Sequence, residues 1–242
     1  MPAEAWLPLA AAELCLLFAL SLGRRWERSR AAHSASWAFA LACACLGAGA
    51  LSYGTAFGWS SAVLRCYYLG GALLTVPWLA VGQVQLLVGA RVARGVAGAV
   101  AVLSVVAGVL VLTADVHLRF DPGGGSHPVP AVASTGTAVR VTVALANTSV
   151  LVLLGGLAVS LVRQRRLGTA ASRARSTGLA LVAAGALVAG GGGLVSALGR
   201  AGANGVAVLV GFSLVYAGSA KAGTRVGRHA AAPLHQREAV RS

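Results

Sequence analysis

The sequence predicts an all-α fold: a polytopic transmembrane helix bundle of seven spans, N-terminus outside and C-terminus in the cytoplasm. Three observations carry this. Only 11% of the 242 residues are charged and the mean hydropathy is +0.77, whereas a soluble domain carries about a quarter charged residues. The apolar residues fall in unbroken runs near the roughly 20 residues that cross about 30 Å of hydrocarbon. Barrel strands would alternate polar and apolar instead, and lipid offers an irregular backbone no hydrogen-bond partners, so the runs are helices. Finally, the twenty basic residues divide sixteen to four between alternate connections, and the basic-rich face is the cytoplasmic one.

The spans are expected at about 5–22, 37–56, 62–89, 96–114, 138–162, 177–198 and 205–222. The first is followed by Arg24, Arg25, Arg28 and Arg30 and has no basic segment before it. That is the pattern of an N-out anchor with a stop-transfer flank rather than a cleaved signal. The second carries Cys43 and Cys45; the third is long enough to tilt and ends before Arg91 and Arg94. After the fourth comes the longest exterior connection, 115–137, with Asp121-Pro122-Gly123-Gly124-Gly125 and His127-Pro128-Val129-Pro130. Pro and Gly at this density do not sustain a helix. The fifth span leads to Arg163, Arg165, Arg166, Arg173 and Arg175, and the seventh to Lys221 and a basic tail, 225–242, expected to be cytoplasmic and disordered. Residues 1–224 form the bundle, and no soluble catalytic domain is evident.

A net charge of +14 raises the possibility of nucleic acid binding. The placement of the arginines at span ends argues for topology signals that also meet anionic headgroups. The expected surroundings are therefore the lipid bilayer, with a protein partner or small ligand open and no nucleic acid.

The candidate site is a polar layer in the outer half of the bundle. Glu13 lies mid-way along the first apolar run, where a carboxylate costs about 2.5–3.5 kcal/mol on insertion scales and normally faces inward towards a partner. Arg65 or Arg140, each about a turn inside its span, is the expected partner, forming a clamp or a ligand or ion site. Tyr67 and Tyr68 fit either an aromatic belt or a cavity wall. Pro77 removes a backbone donor and is expected to kink the third span, exposing the carbonyls near Leu73 and Leu74. Asn147, beside Thr148 and Ser149, adds hydrogen-bonding groups to the fifth span. Gly191, within the run Gly190–Gly193, marks either close packing or a locally unwound helix.

Catalysis, cofactors and metals find little footing. The four cysteines (Cys15, Cys43, Cys45 and Cys66) fall in spans and read as small buried hydrophobes. All five histidines lie outside the spans, leaving no embedded base for a serine and no axial ligand for haem. Asp115, His117, Asp121 and His127 could meet on a metal, but a solvated loop is the simpler reading. Two function classes remain: a non-enzymatic sensor, assembly or interaction protein with a polar outer pocket, or a small-solute or ion transporter using the Glu13/Arg65 layer. Transporters often carry an internal repeat, and none is evident, which favours the first.

Two short stretches resemble microbial rhodopsins, which are also seven-span with an external N-terminus. Thr75-Val76-Pro77 is similar to that family's Thr-x-Pro step, and Ser219-Ala220-Lys221 to its retinal-lysine segment. The third span has no acid to act as counterion, and Lys221 lies near Arg225 at the membrane surface, so the resemblance implies no chromophore. Arg65 to Gly82, with its Tyr-Tyr, Gly-Ala and Pro-Trp-Leu steps, resembles segments of seven-span actinobacterial membrane proteins; it covers one helix and implies no activity.

Overall fold

The computed structural model describes residues 3–113, 118–119, 131–132, 170–197 and 203–223, with single positions between 149 and 162 that are helical. The helices are α1 (Ala3–Ser29), α2 (Ala32–Phe57), α3 (Ser61–Tyr67), α4 (Thr75–Leu87), α5 (Ala90–Thr113), α6 (Ala170–Ala197) and α7 (Ala203–Gly223), with a π-helical segment, Tyr68–Leu74, joining α3 to α4. Four stretches are long and apolar enough to cross a membrane: Ala5–Ser29, Ala32–Phe57, Ser61–Leu87 and Ala90–Thr113. Ser176–Ala189 and Gly205–Lys221 are shorter apolar helices. The chain is a helical membrane protein. Within the 115–137 connection, Leu118 and Arg119 pair antiparallel with Val132 and Ala131, so that connection folds back on itself.

α1 outruns its apolar segment, since the long apolar stems of arginine are compatible with a continuing helix. α1 runs through Arg24, Arg25 and Arg28 before it stops. Its end is made by Arg30, a non-glycine residue at φ 52° whose N–H donates to the Trp26 carbonyl at 2.6 Å. The Arg30 guanidinium lies 5.4 Å above the Trp26 ring, a cation–π contact that holds the turn. Two residues later α2 begins. At its far end Gly58, at φ 103°, donates to Gly54, and Ser60 then caps α3 by accepting from the Val63 N–H at 3.3 Å.

Pro77 follows a π-helical segment that includes Leu73 and Leu74, where the kink was expected. Proline removes the donor that the Leu73 carbonyl would use and crowds that carbonyl. The chain responds by widening the preceding turns into the π register over Tyr68–Leu74. The Thr75 hydroxyl donates to the Gly70 carbonyl at 2.6 Å, with a longer contact of 3.3 Å to Ala40 of α2. The widened turn also brings Gly70 and Gly71 against Gly47 of α2, so closely that a methyl at Gly70 would lie 2.5 Å from the Cys43 carbonyl oxygen.

Contacts fix the helix directions. Ser52 of α2 donates to the Ala5 carbonyl of α1 at 2.9 Å, while Ala19 and Leu22 of α1 share a core with Trp37 and Ala40, so α1 and α2 are antiparallel. Along α2, Ser36 meets Gln85, Trp37 meets Leu79, and Gly47 meets Gly70, which makes the α3–α4 rod antiparallel to α2. The two-residue link at Val88 and Gly89 turns α5 back along α4 to the π segment. Gly185 faces Gly211 and Gly178 faces Gly218, an antiparallel α6–α7 pair. Gly205 adjoins Leu7 and Pro8, and Tyr216 stacks on Phe18 with ring centroids 3.7 Å apart and planes 7° off parallel. The first and last helices are therefore parallel, and α5 runs in the same direction as α6.

The core joins α1, α2, α4, α6 and α7 through Cys15, Ala19, Leu22, Trp37, Leu41, Leu79, Leu179, Val182, Phe212 and Val215. It lies towards the C-terminal end of α1. A smaller cluster of Ala11, Ala12 and Ala48 lies nearer the other end. α5 stands outside this core, with only Ala93 and Ala107 buried.

Candidate functional site

The inward stripe of α1 is Ala5, Pro8, Ala12, Cys15, Ala19 and Leu22, all buried. These positions recur every three or four residues, one face of an α-helix. All but the last are small or compact, so neighbouring backbones come close and gain dispersion contacts. Glu13 lies off that stripe and is exposed. This corrects the expectation that it turns inward to meet Arg65: among the described residues it has no ion pair or hydrogen-bond partner. Arg140, the other expected partner, and Asn147 lie outside the described residues.

The remaining members of the expected layer do not converge on Glu13. Arg65 is half-buried in the last turn of α3. Tyr67 and Tyr68 are half-buried and meet edge-to-face at 5.3 Å, and Tyr67 meets Trp59 in the same way at 5.9 Å. They form an aromatic edge where α3 passes into the π segment. Gly191 is exposed within α6, with nothing within 4 Å of where a Cβ would be, so it mediates no close packing. It is also helical, as are its three neighbours, so the run is not unwound.

The packing glycines are others. Gly178 and Gly185 on α6, and Gly211 and Gly218 on α7, recur at intervals of seven and bring the two backbones together at two levels. A methyl on Gly211 would lie 2.6 Å from the Gly185 carbonyl oxygen, and one on Gly218 would lie 2.5 Å from that of Gly178. The sevenfold recurrence in both segments was the available signal.

The polar side chains of the second and third spans are used between helices. Trp37, only 1% exposed, lies against Gly82 and donates its indole N–H to the Leu79 carbonyl at 3.2 Å. The Ser36 hydroxyl donates to Gln85 Oε1 at 2.9 Å. Gln83 is wholly buried where the fifth segment comes in, since a methyl on Gly156 would meet its amide. The Trp37 and Ser36 bonds clamp α2 to α4, and Gln83 faces the fifth segment instead.

All four cysteines are free, with Cys15 and Cys43 buried. Among the described residues no three His, Cys, Asp or Glu side chains gather as a metal site. Thr75 of the Thr-Val-Pro step is tied to Gly70, and Lys221 is exposed in the last turn of α7. Comparison with known protein families, characterised proteins and solved structures finds no match. The site must therefore be read from its own chemistry: a carboxyl group presented on the outer surface of a packed helix pair, within a helix long and apolar enough to cross a membrane.

Proposed function

We propose that the protein is a non-enzymatic membrane assembly or interaction protein that works through lateral contacts of its helices. The observation behind this reading is the outward position of Glu13, the one acid inside an apolar run of the sequence. A transporter places such a group along an internal path. Here the interior face of α1 is alanine, proline, cysteine and leucine, and Ser36, Trp37, Ser52 and Thr75 of the second and third spans bond to neighbouring helices. No reaction is assigned.

The proposed setting is a multi-pass protein of seven spans in a cell membrane, N-terminus outside, basic tail inside. Three observations support it. The parallel run of α1 and α7 accords with an odd number of crossings. A chain that leaves α5 at one end of the bundle and enters α6 at the other needs one further crossing, for which the helical positions between 149 and 162 are the candidate. The sixteen-to-four arginine and lysine bias supports the direction. The kinship with seven-span actinobacterial proteins is kept as part of the same proposal.

Proteoliposomes test the functional reading. Vesicles holding the purified protein, with a pH dye inside and an imposed potential, should leak protons and alkali cations no faster than empty vesicles. A flux lost on Glu13→Gln would overturn the reading in favour of transport. Topology is tested with single cysteines and a membrane-impermeant maleimide on intact cells. Thr135→Cys should label, and Arg94→Cys and Gln236→Cys should label only after lysis; the reverse would invert the proposed orientation.

A further inference from the structure

We infer that α1 is the self-association surface of this protein, with a second copy packing in parallel so that Glu13 meets Glu13. The inference rests on the interaction reading above and names its partner. Trp6, Glu13, Leu20 and Glu27 recur every seven residues along α1, and all four are exposed. Leu16, Leu17 and Arg24 fill the positions between them on the same side and are also exposed. Trp6, Leu17 and Leu20 are 56%, 60% and 51% exposed. A sevenfold stripe on one helix is the pattern that two parallel helices use to stay in contact along their length.

Symmetry selects the occupant. Two copies inserted in the same direction and related by a two-fold axis along the membrane normal present each residue of the axial helix to itself, at the same depth. The exposed charges elsewhere in the described helices lie at helix ends: Arg28, Arg91, Arg94, Arg173 and Lys221. None of them can reach the middle of a neighbour's apolar run. Among the described charged side chains, the one that a second copy offers Glu13 at matching depth is its own Glu13. A carboxylic O–H can donate to an oxygen of a second carboxyl group. In lipid a polar contact of this kind favours association because no water competes for the group. At the cytoplasmic end the same face carries Arg24 and Glu27, opposite charges that each copy can offer to the other.

Disulfide trapping and energy transfer test this on the full chain in phosphatidylcholine vesicles. Leu20→Cys should give a crosslinked dimer on mild oxidation, while Val105→Cys on α5 should not. With donor- and acceptor-labelled protein, Glu13→Leu should weaken association at least tenfold. Glu13→Gln, whose amide is likewise self-complementary, should retain it. Helicity by circular dichroism shows that each variant is folded, and the Leu20→Cys result does not depend on any change at Glu13. Folded wild-type protein that stays monomeric would overturn the inference and leave this face to lipid or to a different chain. So would a dimer that crosslinks through Val105→Cys, or one indifferent to Glu13→Leu. Any of these can occur without ion flux, so the failure of this inference is separable from the failure of the interaction reading.

Discussion

Replacing Gly211 with alanine probes a close contact between α6 and α7. The added methyl would lie 2.6 Å from the Gly185 carbonyl oxygen, 2.7 Å from the Ala189 Cβ and 2.8 Å from the Ala189 nitrogen. Ordinary contact begins near 3.4 Å, so α6 and α7 must separate by about 0.8 Å at this level to admit it. Two of the three obstructing atoms are backbone, and no flexible side chain can swing aside. A gap of that size forfeits roughly a quarter to a half of each dispersion contact across the interface. Overpacking of a well-fitted core costs about 1–3 kcal/mol, and the rigid neighbours put this site towards the upper end. Gly98→Ala on α5 is the internal control, because nothing lies within 4 Å of its added methyl; helix propensity alone makes it neutral or stabilising by up to about 1 kcal/mol. The assay is equilibrium unfolding in mixed micelles, followed by loss of helicity as the denaturing detergent fraction rises. If Gly211→Ala unfolds at the wild-type midpoint, or no earlier than Gly98→Ala, the account of the α6–α7 interface is wrong.

Trp37→Ala should destabilise the bundle by about 3–5 kcal/mol, since it empties a core position and removes the bond to Leu79; the same unfolding assay reads it. Thr75→Val, which keeps the shape and removes the hydroxyl donated to Gly70, should cost about 0.5–1.5 kcal/mol. Pro77→Ala should change stability less than Gly70→Ala, because the Gly47 contact and the Thr75 bond still favour the π register, whereas a methyl at Gly70 collides with α2 backbone. A Pro77→Ala variant destabilised more than Gly70→Ala would show that proline, and not the glycine contact, holds the segment.

The apolar runs made the helices readable, because lipid leaves a long hydrophobic segment few other options. Their ends were less readable. α1 continues through three arginines, since a helix stops where its backbone finds a better conformation, here at Arg30, and not where hydropathy falls. The direction in which Glu13 points was written in the sequence in a form that composition hides. The small residues Ala5, Ala12, Cys15 and Ala19 mark the face that neighbours approach, and Glu13 is not on it. Gly190 to Gly193 drew attention by repetition, yet four consecutive residues sample every side of a helix and so specify no contact. Gly178, Gly185, Gly211 and Gly218 are scattered singly, and their common spacing is what matters. The π segment was not legible from Pro77 alone, because the response depends on Gly47, which is far away in the chain.

The stacking of Phe18 on Tyr216 and the seat of Gly205 on Leu7 and Pro8 join α1 to α7. The two helices are far apart in the sequence, so during synthesis α1 is made well before α7. Its contact face towards α7 stays without that partner until α7 follows. A variant lacking α7 leaves that α1 face uncovered however well the helices between them have formed, which gives cellular quality control a feature to recognise.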